Sequence, residues 1–165
     1  MKQKSSNPTT KTRLNGKLKW ATGLMMATFL SVGGLLAVQQ DTSAADIVVY
    51  KNPTCGCCKG WIKHLKENGY TVEVKNRDDV TPIKKELVVP NNLQSCHTAK
   101  VDGYVIEGHV PADLISKLRR EKPQIRGLAV PGMPMGSPGM EGAYKDAYNI
   151  ISFDNDGKTS IYARR

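Results

Sequence analysis

Aromatic residues make up only 6% of the 165-residue chain, and nowhere do they alternate with lysine or arginine along a basic stripe. That absence speaks against a nucleic-acid partner, which needs both stacking surfaces and a phosphate-binding face. The net charge of +9 therefore has another origin. Acidic residues are missing from residues 1–19, which carry six basic side chains (Lys2, Lys4, Lys11, Arg13, Lys17 and Lys19), and no charge of either sign occurs from Trp20 to Val38. A basic stretch followed by an uncharged apolar run is the pattern of an export leader. A buried core helix fits it poorly, because nothing else in the chain is so uniformly apolar. Ser43-Ala44-Ala45 offers the small residues a signal peptidase requires, which places cleavage before Asp46, while an apolar run of this length also serves as a retained anchor. Residues 1–45 are thus a signal peptide or N-terminal membrane anchor, and residues 46–165 face a periplasm or cell exterior. The membrane concerns the protein only through the N-terminal segment, if that is not cleaved. In such a compartment disulfides persist and free thiols must be kept reduced or metallated.

Internal repeats are also absent, as is any feature that points to a glycan or nucleotide. Residues 46–165 have the commonest length of a single domain. Since residues 1–45 supply +5 of the charge, the domain keeps +4. Ile47 to Tyr50 is a short β-branched run, as a buried strand would be. Cys58, Trp61, Ile62 and Leu65 then recur at helical spacing up to Asn68-Gly69, where glycine can end a helix. Thr71 to Lys75 alternates and predicts a second strand with Val72 and Val74 on one face. Thr81-Pro82 opens a short helix through about Val88, with proline where its missing N–H is harmless. Tyr104 to Glu107 is the expected third strand. Val110-Pro111 starts a helix with Leu114, Ile115 and Leu118 on its apolar face, ending near Lys122-Pro123. Tyr148 to Phe153 and Thr159 to Tyr162 flank Asp154-Asn155-Asp156-Gly157 as a hairpin. The pattern predicts an α/β fold, a thioredoxin-like sandwich whose helices flank a mixed central sheet, with a C-terminal β-hairpin. Between the last helix and the hairpin, "GLAVPGMPMGSPGMEG" holds five glycines, three prolines and three methionines, and is expected to be a loop lying over something.

Cysteine is scarce, with four in the chain, yet Cys55, Cys57 and Cys58 fall within four positions. Disulfide pairing inside such a cluster is geometrically strained, and a framework of staples would spread its cysteines to close longer loops. The cluster falls at a strand-to-helix turn. Unpaired backbone N–H groups and the dipole at a helix N-terminus favour thiolate, and Lys51 and Lys59 add to that pull. Thiolate is at once a redox nucleophile and a soft-metal ligand. Cys55 and Cys58 have the spacing of a dithiol oxidoreductase. Cys57 is surplus to such a pair and invites scrambling by exchange, whereas a metal site gains a third sulfur from it. The arrangement favours soft metal, above all Cu(I).

Cys96 and His97 in "LQSCHTA" precede the expected third strand, which in a thioredoxin-like sandwich lies near the first strand-to-helix turn. A sulfur and an imidazole would then approach the cluster from the other side, although a lone cysteine is otherwise a small buried hydrophobe. Met133, Met135 and Met140 lie in the glycine- and proline-rich loop. Thioethers suit Cu(I), while filling gaps in packing is their ordinary role. His109 in "EGHVP" stands at a helix entry as a ligand or as a polar group near a cap. His64 lies two helical turns beyond Cys57, roughly 10 Å, and is expected to be solvated rather than a ligand.

Together "YKNPTCGCCKGW", "SCHTA", "GYVIEGHVPADL" and "GLAVPGMPMGSPGME" resemble the CopG-type family of periplasmic copper-resistance proteins, also catalogued as a domain of unknown function and unrelated to the plasmid repressor of that name. The likeness covers nearly the whole exported domain. It implies a thioredoxin-like fold that binds copper through the cysteine cluster and handles it by redox conversion or sequestration in the bacterial envelope. Position by position it implies Cys55, Cys57, Cys58 and Cys96 as sulfur ligands, with His97, His109 and the loop methionines Met133 and Met135 as further members of the site. Thioredoxins themselves match less well. Thr54 stands where they place an aromatic residue, and "SCHTAKVDGY" lacks the proline they set before the third strand.

The expected function is copper binding, with thiolates for Cu(I), imidazole for Cu(II) and room for a small cluster. Copper ions are the expected partners, together with other envelope copper-handling or electron-transfer proteins. If the site cycles it is a copper oxidoreductase; if not, it is a chaperone or buffer. The alternative is a periplasmic thiol-disulfide oxidoreductase in which Cys55 attacks and Cys58 resolves. Zinc, which three Cys and one His would satisfy, ranks behind copper because the spacing lacks its usual distant second pair.

Overall fold

The computed structural model describes residues 44–165, so the expected leader falls almost wholly outside the described residues. Among those residues no helix is long and apolar enough to cross a membrane. The elements run β1 (Ile47–Lys51), α1 (Gly56–Glu67), β2 (Val72–Asn76), α2 (Thr81–Glu86), a 3-10 turn (Asn91–Leu93), β3 (His97–Val101), β4 (Tyr104–Gly108), α3 (Ala112–Glu121), β5 (Gly127–Val130), β6 (Asn149–Phe153) and β7 (Thr159–Arg164). They form one mixed sheet of seven strands in the order β2-β1-β3-β4-β5-β6-β7. Pairing is parallel at β1–β2 and β4–β5, the two places where a helix makes the crossover, and antiparallel elsewhere.

The period of two along each strand sorts the core onto two faces. Ile47, Val49, Ala99, Val101, Ile106, Leu128, Val130 and Ile150 pack with Trp61, Ile62 and Leu65 of α1 and with Leu114, Ile115 and Leu118 of α3. Val105, Ala129 and Phe153 point the other way, to Leu87, Val89 and Leu93 around α2 and the 3-10 turn. Each fully buried large side chain contributes about 1.5–3 kcal/mol, so the α1–α3 face is the principal core. This is the expected α/β architecture: helices flank a mixed sheet and a hairpin closes the chain.

Two strands depart from expectation. Tyr104–Gly108 is the fourth strand rather than the third, because His97–Val101 is itself a strand, hairpinned to it through Asp102 (φ 46°) and Gly103 (φ 85°). Asp-Gly is the dipeptide that a two-residue turn with two positive φ angles requires. Gly127–Val130, expected to be loop, is a fully buried strand parallel to β4. Its glycine is there for lack of space, since a Cβ at 127 would lie 2.1 Å from the Val105 carbonyl oxygen. Val72 and Val74 share a face as expected, but β2 is an edge strand and Val74 is 39% exposed.

Candidate metal centre

The C-terminal ends of β1 and β4 and the start of β3 converge on the first turn of α1. After β1 the chain makes a tight turn in which the Asn52 side-chain oxygen accepts hydrogen bonds from the Thr54 amide (2.9 Å) and hydroxyl (2.6 Å). The buried Lys51 ammonium donates to the Asn52 carbonyl at 2.7 Å and to the Asn76 side chain at 3.4 Å. Lys51 therefore braces the turn; burial, and then Lys59, lower its pKa. Cys55 is the N-cap of α1, its Sγ accepting from the Cys58 amide at 3.3 Å, which meets part of the helix's unpaired N–H demand with sulfur.

Cys55 and Cys58 are joined as a disulfide, with their Cα atoms 5.4 Å apart. The expected strain of pairing within the cluster does not apply to these two, because three residues of helix bring them onto one face within the normal disulfide span. Cys57 and Cys96 are free thiols. The sulfurs of Cys55 and Cys57 lie 3.6 Å apart and those of Cys57 and Cys96 3.8 Å. All four lie within 4.8 Å of one another, and the Cys96 sulfur is also within that distance of ring nitrogens from both His97 and His109. The structure thus brings together six of the eight residues expected at the site.

His97 and His109 are buried. His109 donates Nδ1–H to the Pro138 carbonyl at 2.7 Å, because a carbonyl can only accept, and its neutral ring turns the Nε2 lone pair to Cys96 Sγ at 3.1 Å. A carbonyl that accepts from the far ring nitrogen and so fixes the tautomer is common behind metal-binding histidines. His97 Nδ1 lies 3.3 Å from the same sulfur, while its Nε2 is a buried polar atom without a hydrogen-bond partner. The His97 ring sits 4.3 Å from that of Trp61, whose indole donates to the Val110 carbonyl at 2.8 Å. Burial holds both imidazoles neutral, pushing His97 well below its ordinary range and lowering His109 against the opposing pull of Pro138 and Glu141. The Cys96 thiol is pushed up to about 12 by burial and by Cys57. Sulfur and imidazole at this density make a soft donor set that suits Cu(I) and leaves nitrogen for Cu(II).

The loop after β5 lies over this end of the sheet. A Cβ on Gly139 would meet the Trp61 amide nitrogen at 2.5 Å and the Cys57 carbonyl at 2.6 Å, and one on Gly60 would meet Gly139 Cα at 2.9 Å. Only paired glycines allow so close an approach. Met140 follows this contact in sequence. Met133 is 40% exposed with a left-handed backbone, and Met135 lays its methyl over Gly142.

His64 differs from expectation. It is half-buried, not solvated, and its Nε2 accepts the Ala112 amide at 3.1 Å, standing in for the side-chain cap that Pro111 cannot offer α3. Sequence reading also missed the Pro138 carbonyl and the Trp61 indole bond, which no motif announces, and the buried Glu107, whose charge inside an apolar strand was a signal.

A family described as a protein of unknown function, DUF411, matches residues 93–140. Two solved structures of a copper resistance protein copG resemble the chain. One, form 2, is 47% identical over 73% of this chain and 98% of its own, with a TM-score of 0.70. The other, form 1, is 48% identical over 72% of this chain and 95% of its own, with a TM-score of 0.68. No curated protein matches the chain.

Proposed function

The chain belongs to the CopG-type copper-resistance family, and from that premise we propose that Cys55, Cys57, Cys58 and Cys96 hold copper in the cell envelope, where the protein converts it between oxidation states or sequesters it. The observation that carries this is the meeting of all four sulfurs within 4.8 Å. His97 and His109 complete the donor set, and Met133, Met135 and Met140 supply thioethers from the covering loop. We read β1-α1-β2-α2-β3-β4-α3 as a thioredoxin-type core, extended by β5 and the β6–β7 hairpin.

Loading requires that the Cys55–Cys58 bond first be opened. An external dithiol reductant gives up two electrons and two protons and becomes a disulfide, Cys55 and Cys58 become thiols, and each thiol that becomes a ligand surrenders its proton. Cys96, with its raised pKa, is a protonated thiol at neutral pH until a cation replaces that proton. Thiolates favour Cu(I) and imidazoles accommodate Cu(II), so a mixed set can pass an electron while keeping the ion. Copper ions, and envelope proteins that deliver them or exchange electrons, are the partners.

The disulfide supports a second reading, a thiol-disulfide oxidoreductase with Cys55 as nucleophile and Cys58 as resolving thiol. Metal analysis of the reduced full chain after anaerobic copper loading, beside Cys57→Ser and Cys96→Ser, separates the two. More than one copper per chain, lost in both variants, is the expected result. A metal-free protein that reduces disulfides regardless of Cys57 and Cys96 overturns it, and zinc retained against excess copper replaces copper with zinc.

A further inference from the structure

On the face of the sheet turned away from α1 and α3, Glu107 is 0% exposed and Lys84 is 3% exposed. The Lys84 ammonium donates to Glu107 Oε1 at 2.5 Å and to Thr98 Oγ1 at 2.9 Å, and the Thr98 hydroxyl donates to Glu107 Oε2 at 2.6 Å. Burying two charges costs several kcal/mol per ion, and well-packed apolar residues often serve stability as well. Stability alone therefore does not account for this pair.

What Glu107 does besides pairing is accept the Ser95 amide at 2.6 Å on Oε1. Ser95 lies between the 3-10 turn and β3, where no strand neighbour takes its N–H, and the next residue is Cys96. The same segment is pressed from the side by Gly108: a Cβ there would meet Ser95 Oγ at 2.7 Å and the Val130 carbonyl at 2.6 Å. The residue immediately before Cys96 is thus held on two sides, while the Cys96 sulfur stands 3.1 Å from His109, two residues beyond Glu107.

We infer that Glu107, supported by Lys84 and Thr98, is a positioning residue for the metal centre: through the Ser95 amide it fixes where the Cys96 sulfur stands. This rests on Cys96 being a copper ligand, as proposed above. The carboxylate's reach to Ser95 is the operative property, and its charge is neutralised locally by Lys84.

Reach and charge separate by substitution in the full chain. Glu107→Asp keeps the ion pair, since the flexible Lys84 stem can follow, but withdraws the carboxylate by about 1.5 Å. Lys84→Met with Glu107→Gln keeps the reach and removes both charges. Cu(I) affinity, measured by competition with a chromogenic chelator under reducing conditions, is expected to fall 10–100-fold in Glu107→Asp, the range for outer-shell partners of metal ligands. It is expected to stay at the wild-type value in the Lys84→Met, Glu107→Gln protein. In the metal-free reduced protein, hydrogen exchange at the Ser95 amide should be faster in the first variant only. Wild-type affinity in Glu107→Asp, or an equal loss in the neutral pair, overturns the inference. If Glu107→Asp fails to fold, Lys84→Met with Glu107→Met, matched in volume but lacking the acceptor, is compared with the Gln version, and equal affinities overturn it. Cys96→Ser with unchanged Cu(I) affinity would instead sink the ligand assignment, leaving Ser95 exchange to decide the positioning.

Discussion

Two of the strand-to-helix turns at this end of the sheet, β1 to α1 and β4 to α3, are built on opposite plans. The first carries its own chemistry: Asn52 folds the turn, Cys55 caps the helix, and Cys57 and Cys58 follow within its first turn. The second carries almost none of its own. Pro111 gives α3 no side-chain cap, and His109 is oriented by Pro138, 29 residues later. The Val110 carbonyl is held by Trp61, and the Ala112 amide by His64, both reaching over from α1. A turn whose donors are neighbours in sequence can be specified locally, while one whose donor must meet a distant sulfur has to be specified by the fold.

The largest effect is expected where the two plans meet. Trp61 is wholly buried, packs its ring at a tilt against His97 and holds the second turn through its indole N–H. Trp61→Ala should lose about 3–5 kcal/mol of stability, measured by denaturant unfolding of the reduced, metal-free protein. Trp61→Phe keeps most of the packing and deletes the hydrogen bond, so it should cost about 1–3 kcal/mol for the stranded Val110 carbonyl. Equal stability of the Phe variant and the wild type would break the comparison, since the second turn would then not depend on α1.

The covering loop gives a sharper contrast. Gly132 and Gly139 both have positive φ, 76° and 84°, but a Cβ on Gly132 meets nothing within 4 Å whereas one on Gly139 strikes the backbone of α1. Gly132→Ala should cost about 1–2 kcal/mol, the penalty of a left-handed L-residue. Gly139→Ala should cost more and should also lift Pro138 from His109, which the histidine's NMR chemical shifts report. A His109 signal that shifts equally in both variants would show that the loop contact does not set the second turn.

The same division explains what was legible. The cluster, both helices that bear on the site, the mixed sheet and the terminal hairpin followed from local spacing and periodicity. β3 is masked because its first residues belong to the "SCHTA" motif, whose polar chemistry hides the strand that the Asp102-Gly103 turn closes. β5 is hidden because its four residues run directly into a stretch rich in glycine and proline. Glycine at 127 serves close strand packing rather than a turn. His64, two turns along a polar helix face, has its role only because α3 starts beside it.

His64 supplies the smallest effect and the one with a pH signature. As the surrogate cap of α3, its loss in His64→Ala should cost about 0.5–2 kcal/mol. Burial lowers its pKa, with Glu141, Asp113 and Glu67 pulling the other way. The unfolded chain, with an ordinary histidine near 6.5, therefore binds the proton more readily than the folded one. Stability from this group is fully present above pH about 6.5 and is lost as pH falls through the lower folded value. The sign agrees with the geometry, because protonated Nε2 can no longer accept the Ala112 amide. Unfolding free energies of wild type and His64→Ala, compared between pH 7.5 and 5, should converge on acidification. A difference that stays constant with pH would mean that α3 does not depend on the His64 lone pair, and that the second turn's start is held by packing alone.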